Sequence, residues 1–196
     1  MSSTTPLAPA AGGSLLAALW PARLPAAARA AAVVLGGSLL LAASAKVQVP
    51  LWPVPMTLQT LVVLVLGAAC GPRLGAAAVA AYLVEGLAGL PVFAGPLSGP
   101  AYMAGPTAGF LVGFLPAAAL VGFLAERGFD RTLPRLVALM ALGHAVIFAV
   151  GLAWLSTAVG PWQAWMLGAV PFALATVLKT ALAAVLVRAG WRFAQA

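Results

Sequence analysis

Long runs of apolar residues are interrupted at only a few places, and the interruptions divide the chain. Six runs have helix length and no alternation of apolar and polar positions, so they predict helices that are apolar all round. They fall at about 26–46, 57–70, 72–89, 106–125, 134–157 and 162–190. Gly71–Pro72 predicts the turn between the second and third. Pro106 suits the start of the fourth helix, and Pro116 predicts a kink within it. The strands of a membrane barrel would alternate apolar and polar positions, and these segments do not.

Composition then decides the solvent. The chain is 64% hydrophobic and 7% charged, against about 25% charged in a soluble domain. Too few polar groups exist to cover a water-facing surface. A span needs about 20 residues, so six spans and short links account for nearly the whole chain. The expected architecture is an all-α membrane protein with six transmembrane helices and structured external loops 1 and 3, at 47–56 and 90–105. Residues 1–25 form an N-terminal tail, with an interfacial turn expected near Leu15–Trp20. Residues 26–192 form one membrane domain.

The net charge of +7 sets topology rather than nucleic-acid affinity, because the basic residues are scattered and no aromatic-basic surface accompanies them. Arg23, Arg29, Arg73, Arg127, Arg131, Arg135, Arg188 and Arg192 all fall on one side of a six-span arrangement. The opposite loops at 47–56, 90–105 and 158–161 carry no Lys or Arg. The positive-inside rule makes the arginine side, and both termini, cytoplasmic. A lone cysteine, Cys70, has no partner for an intrachain disulfide. One histidine and one cysteine offer no metal set. Neither a GK[ST] phosphate loop nor a catalytic constellation is present, so neither an ATPase nor an intramembrane enzyme is expected.

Three stretches outside the plain apolar pattern carry the candidate chemistry. The first is KVQVPLWPVPMTLQT, 46–60. Pro50, Pro53 and Pro55 restrict φ and favour extended backbone. Extended backbone leaves N–H and C=O groups that a membrane tolerates only against water, protein or a ligand. A stiff lid carrying Trp52 is the expectation, with Gln59 in the first turn of the next helix facing a pocket. The second is PVFAGPLSGPAYMAGPTAG, 91–109, rich in Gly and Pro yet holding Phe93, Ser98 and Tyr102. Aromatics distinguish it from a solvated linker. It predicts a structured loop dipping toward a small planar solute. The third is Lys179, about 22 Å along the last helix at 1.5 Å per residue, with Thr176 one turn back. An ionisable residue at that depth is a functional candidate. Glu85, the only acid outside the cytoplasmic link, could pair with Lys179 or meet a solute. Lys46 is expected at the interface, and His144 in a hydrogen bond between helices.

QVPLWPVPMTLQTL, YLVEGLAGLPVFAG and GPTAGF, in that order, resemble BioY, the biotin-specific S component of energy-coupling factor (ECF) transporters. The resemblance runs from about residue 30 to 190. It implies biotin bound near the external face, under the two structured loops, with no cofactor. It also implies a membrane coupling protein and ATPases as partners, and residence in the cell inner membrane. The small residues Ala28, Ala32 and Gly36 look like the docking face of such subunits. The family pattern has an aspartate and a lysine one turn apart on the last helix. Lys179 stands at the lysine position, but Thr176 stands where the aspartate would be. Either Glu85 takes over, the register of this turn differs, or affinity is weaker. Some members of the family work without the other subunits, so a self-sufficient transporter, as a monomer or an oligomer, is the alternative.

Overall fold

The computed structural model describes residues 14–20 and 25–195. The elements are α1 (Leu15–Leu19), α2 (Ala26–Lys46), β1 (Gln48–Val49), β2 (Met56–Thr57), α3 (Gln59–Leu87), α4 (Gly99–Met103), α5 (Ala108–Leu124), α6 (Leu133–Val159), α7 (Pro161–Gly168) and α8 (Ala173–Gln195). A π-helical turn over Ala125–Phe129 extends α5, and a 3-10 turn over Val170–Phe172 joins α7 to α8. Among the described residues, five stretches are long and apolar enough to cross a membrane: Ala26–Lys46, Gln59–Leu87, Ala108–Phe129, Leu133–Val159 and Pro161–Gln195. Most of the tail assigned to 1–25 lies outside the described residues. Within it, α1 is capped by the Ser14 hydroxyl, and Leu15 is buried against Gly190 of α8.

The helices expected at 57–70 and 72–89 form the single element α3, but α3 is not straight. Gly71 has φ 79° and ψ 175°, far from helical values, and Pro72 follows it. Gln59 Nε2 lies 2.7 Å from the Tyr82 hydroxyl, 23 residues away. In an uninterrupted helix that separation would be about 34 Å. The chain therefore reverses at Gly71, and the two legs of α3 lie side by side. Glycine is needed there because φ is positive. A Cβ would also strike the Glu126 carboxylate.

Burial of apolar area does little to hold helices together in lipid, whose tails are as apolar as leucine, so close packing takes over. Small residues make it possible here. An added Cβ at Gly67 would sit 2.6 Å from the Ala118 carbonyl oxygen of α5, and one at Gly122 would sit 2.5 Å from the backbone of Gly71 and Pro72. Leu64, Val121, Leu136, Met140 and Ile147 fill the space between α3, α5 and α6 and are fully buried. Pro116 lies within α5, which continues past it. Leucines and valines on the opposite faces, such as Leu39, Leu174, Val177 and Leu178, are exposed, as suits lipid contact.

The chain departs from an all-α class at one place. The first proline-rich loop closes as a two-stranded antiparallel ladder, with Gln48 opposite Thr57 and Val49 opposite Met56. Its tip holds a cis Trp52–Pro53 bond. The two ends of the bundle differ in chemistry. Arginines of the α5–α6 link and the end of α8 meet at one end, with Arg188 Nη1 donating to the Arg131 carbonyl at 3.1 Å. The loops 47–56 and 90–105 lie together at the other, as the contacts below establish.

Candidate functional site

Lys46 ends α2 and is exposed, but its ammonium is not idle at an interface. It donates to the Phe93 carbonyl at 2.7 Å and the Gly95 carbonyl at 3.3 Å, tying the second loop to the start of the first. A second tie runs through the bundle. Gln59 Nε2 donates to Tyr82, whose hydroxyl lies 3.3 Å from the Val92 carbonyl and donates to it. Gln59 Oε1 accepts from the Thr57 hydroxyl at 3.0 Å. Gln59 is 3% exposed, so these bonds satisfy an amide that would otherwise be costly to bury.

The second loop is anchored by its aromatics. Phe93 is completely buried. It meets Tyr82 edge to face at 5.5 Å and stacks on Tyr102 at 4.9 Å between ring centroids. Its ring occupies the place where a side chain on Gly86 would be, 2.0 Å from an ideal Cβ. Gly86→Ala should therefore displace Phe93 and cost about 1–3 kcal/mol by overpacking. Thermal unfolding in detergent would measure it, and an unchanged midpoint would mean the loop repacks freely.

Between these ties lies a cavity. Val54 and Pro55 of the first loop close it on one side, and Ala94, Tyr102 and Thr107 of the second on another. Gln59 and Thr60 come from α3, Phe110, Leu111 and Phe114 from α5, Ile147 and Phe148 from α6, Phe172 from the 3-10 turn, and Thr176 and Lys179 from α8. The space not filled by protein atoms is about 540 Å³, part of it continuous with the outside. Burial lifts the Tyr102 phenol above its ordinary pKa, partly opposed by Thr107, so the hydroxyl stays protonated and able to donate.

Lys179 supplies the cationic group. Its Nζ donates to the Thr57 carbonyl at 2.8 Å and lies 3.4 Å from Thr60 Oγ1. An ammonium has three donors. The remaining one has no protein acceptor among the described residues. Behind it, Thr60 Oγ1 is 3.3 Å from His144 Nε2, and His144 Nδ1 lies 3.0 Å from Thr180 Oγ1 and 3.1 Å from the Met140 carbonyl. His144 thus links α6 to α3 and α8.

The residues singled out from sequence do not all meet. Lys179, Thr176, Gln59 and Tyr102 line the cavity. Phe93 lies behind Tyr102 and supports it. Trp52 is 81% exposed at the loop tip. Ser98 donates to the Gly89 carbonyl at 2.9 Å, outside the cavity wall. Glu85 does not approach Lys179. Its carboxylate accepts a hydrogen bond from Ser38 of α2, so the leg of α3 after Gly71 turns that face toward α2. On α2 itself, Ala28, Ala32 and Gly36 are all exposed, and nothing lies within 4 Å of a Cβ placed on Gly36.

The sequence and the fold have known counterparts. The sequence pattern of the BioY family matches residues 16–196.

The chain belongs to the BioY family.

A protein of Pyrococcus horikoshii named as a probable biotin transporter BioY is 37% identical over 147 residues, covering 75% of this chain and 86% of that one. The biotin transporter BioY of Rhizobium etli is 39% identical over 145 residues, covering 70% and 78%. The fold matches the crystal structure of the S-component for biotin from an ECF-type ABC transporter. The TM-score is 0.73 at 24% identity, over 83% of this chain and 90% of that one. This BioY-family chain is accordingly a multi-pass membrane protein with an S-component fold.

Several cavity residues escaped the sequence reading. Phe110, Phe148 and Phe172 look like any apolar residue in an apolar helix, and no local signal marks them as facing inward. Thr60 could have been found, since a polar residue next to Gln59 at the top of a short helix is conspicuous.

Proposed function

We propose that this BioY-family chain is a high-affinity biotin-binding subunit of a vitamin-uptake system and not an enzyme. The observation that carries the reading is the Lys179 ammonium, which keeps one donor unclaimed in an otherwise aromatic and apolar cavity closed by two tied-down loops. Biotin offers a flat fused ureido–thiophane ring and a valerate carboxylate. Phe110, Phe148 and Phe172 suit the ring system, and Lys179 suits the ureido oxygen or the carboxylate. Thr176 accepts a hydrogen bond from a ureido N–H, and Tyr102 donates. Gln59 and Phe93 act by holding the walls. Trp52, Ser98 and Glu85 contribute from outside the cavity, through loop order and the tie between α2 and α3. Biotin is cargo, and no cofactor is required.

The two legs of α3 count as two crossings in this reading, giving six, with both termini cytoplasmic in the cell inner membrane and the cavity opening outward. Residues 26–192 are the substrate-binding domain, and residues 1–25 a tail. The α2 face at Ala28, Ala32 and Gly36 is the docking surface for an ECF coupling protein, which brings the ATPases. A second reading is a self-sufficient transporter that assembles as an oligomer in the membrane. The open space at Gly36 favours it equally, since another copy of the chain could approach there.

Calorimetric titration of the purified chain with biotin tests the site, with saturable binding of one biotin per chain expected. No binding would remove biotin as the cargo. Uptake into vesicles then separates the two energetic readings. Dependence on added coupling protein, ATPases and ATP supports the subunit, and uptake by the chain alone supports the self-sufficient transporter.

A further inference from the structure

The arginine-rich end of the bundle holds a second cavity, far from the first. Asp130, Arg131, Arg188, Trp191, Arg192 and Gln195 line about 660 Å³ of space that is open in part to solvent. Three guanidinium charges there face one carboxylate, and that carboxylate is already engaged. Asp130 is 2% exposed. Its Oδ2 accepts from Trp191 Nε1 at 2.6 Å, and its Oδ1 lies 3.4 Å from Arg131 Nε. Arg131 lies over the Trp191 indole, 3.6 Å from the ring centroid. These contacts fix the floor of the cavity and use its one negative charge.

Arg188 and Arg192 are placed differently. A guanidinium carries five N–H donors. Arg188 uses one on the Arg131 carbonyl, and Arg192 makes no hydrogen bond to protein among the described residues. Two adjacent arginine forks with open donors match the bidentate geometry of phosphate oxygens. The flanking residues are apolar and face outward, with Phe193 84% exposed and Phe129 44% exposed. A headgroup phosphate in the cavity would therefore have side chains beside it that suit an acyl chain. Basic pockets between helices at the cytoplasmic side of membrane proteins are a recurrent setting for anionic headgroups.

We infer that Arg131, Arg188 and Arg192 form a binding site for a phosphate-bearing anionic group, supplied by a lipid headgroup or by free phosphate. The test uses the full chain in a neutral detergent. Short-chain phosphatidylglycerol, short-chain phosphatidylcholine and inorganic phosphate are added separately at equal concentration. Thermal unfolding and native mass spectrometry are the readouts. Phosphatidylglycerol should raise the unfolding midpoint and stay bound, while phosphatidylcholine does neither. The double change Arg188→Gln with Arg192→Gln should abolish the effect, and Arg188→Lys with Arg192→Lys should keep part of it. If the double variant does not fold, Arg192→Gln alone must weaken the lipid response, because that side chain holds nothing in the protein. Stabilisation by inorganic phosphate alone would identify the free ion as the ligand, and a response only to the lipid would identify the headgroup. Equal responses to both lipids with none to inorganic phosphate, no response to any of the three additives, or a glutamine variant that responds like the native chain, would overturn the site. Biotin binding, read at the opposite end of the bundle, should be the same in native chain and variants.

Discussion

Alanine at Lys179 should weaken biotin binding by about 10- to 100-fold, the range expected when a charged hydrogen-bond partner worth about 1.5–3 kcal/mol is lost from a pocket sheltered from water. The loss has two sources. The solute would lose its donor, and the Thr57 carbonyl would lose the partner that holds it at 2.8 Å. Comparison with Lys179→Met separates the ammonium from the packing of its stem, because methionine keeps much of the apolar stem without the charge. If both variants lose affinity alike, the ammonium is responsible. Calorimetry with biotin is the measurement. An affinity within a factor of about two of the native chain, on the scale where 1.4 kcal/mol is tenfold, would take Lys179 out of the site. The fold should survive, since Lys179 is half-buried and replacing it removes a charge from the membrane rather than adding one.

Leucine at Gly122 should unfold or rearrange the bundle, with a cost of at least about 3 kcal/mol, at the upper end of overpacking effects. The position differs from Gly86, where the obstacle is a ring that can shift. A Cβ at Gly122 would meet the Gly71 carbonyl carbon and the Pro72 nitrogen at 2.5 Å and the Gly67 carbonyl oxygen at 2.8 Å. All three are backbone atoms at the reversal of α3, held by the positive φ of Gly71. Neither α3 nor α5 can yield without separating, and both helices line the cavity. The unfolding midpoint in a denaturing-detergent titration measures the effect. Gly122→Ala should fall between the native chain and leucine. A leucine variant with native stability would mean that the two helices do not pack this closely in the membrane.

Much of the fold was legible because the signals are local. An apolar run of sufficient length with few charges commits a segment to the membrane whatever its neighbours do, since every backbone polar group must be satisfied within the helix. α2, α5 and α6 follow from that alone, whereas the last run, expected as one helix at 162–190, divides into α7 and α8 at the 3-10 turn over Val170–Phe172. The reversal at Gly71–Pro72 was legible for a similar reason, as only glycine readily takes positive φ and proline lacks an N–H. The ladder between β1 and β2 was not, because two-residue strands have no periodicity to read. Of the candidate site, Lys179 and Gln59 stood out as polar groups where polarity is costly. Tyr102 stood out as an aromatic in a Gly- and Pro-rich stretch, and Thr176 through its place one turn from Lys179. Lys46 was expected merely to sit at an interface, but its ammonium ties down the Phe93 carbonyl. Glu85 was offered as a partner for Lys179 or a solute, and its carboxylate accepts a hydrogen bond from Ser38.

What the sequence determined by itself was the solvent, the helices, the stiff loops and the identity of the scarce polar groups. Those properties depend on each residue and its near neighbours. Only the tertiary structure decided which polar groups meet. Gln59 finds Tyr82 across 23 residues, and Lys179 finds Thr57 across 122. It also decided that Phe110, Phe148 and Phe172 face one cavity. Helices that are apolar all round carry no pattern to mark an inner face. Which side turns inward is settled by where glycines let backbones touch, and that is a property of the whole bundle.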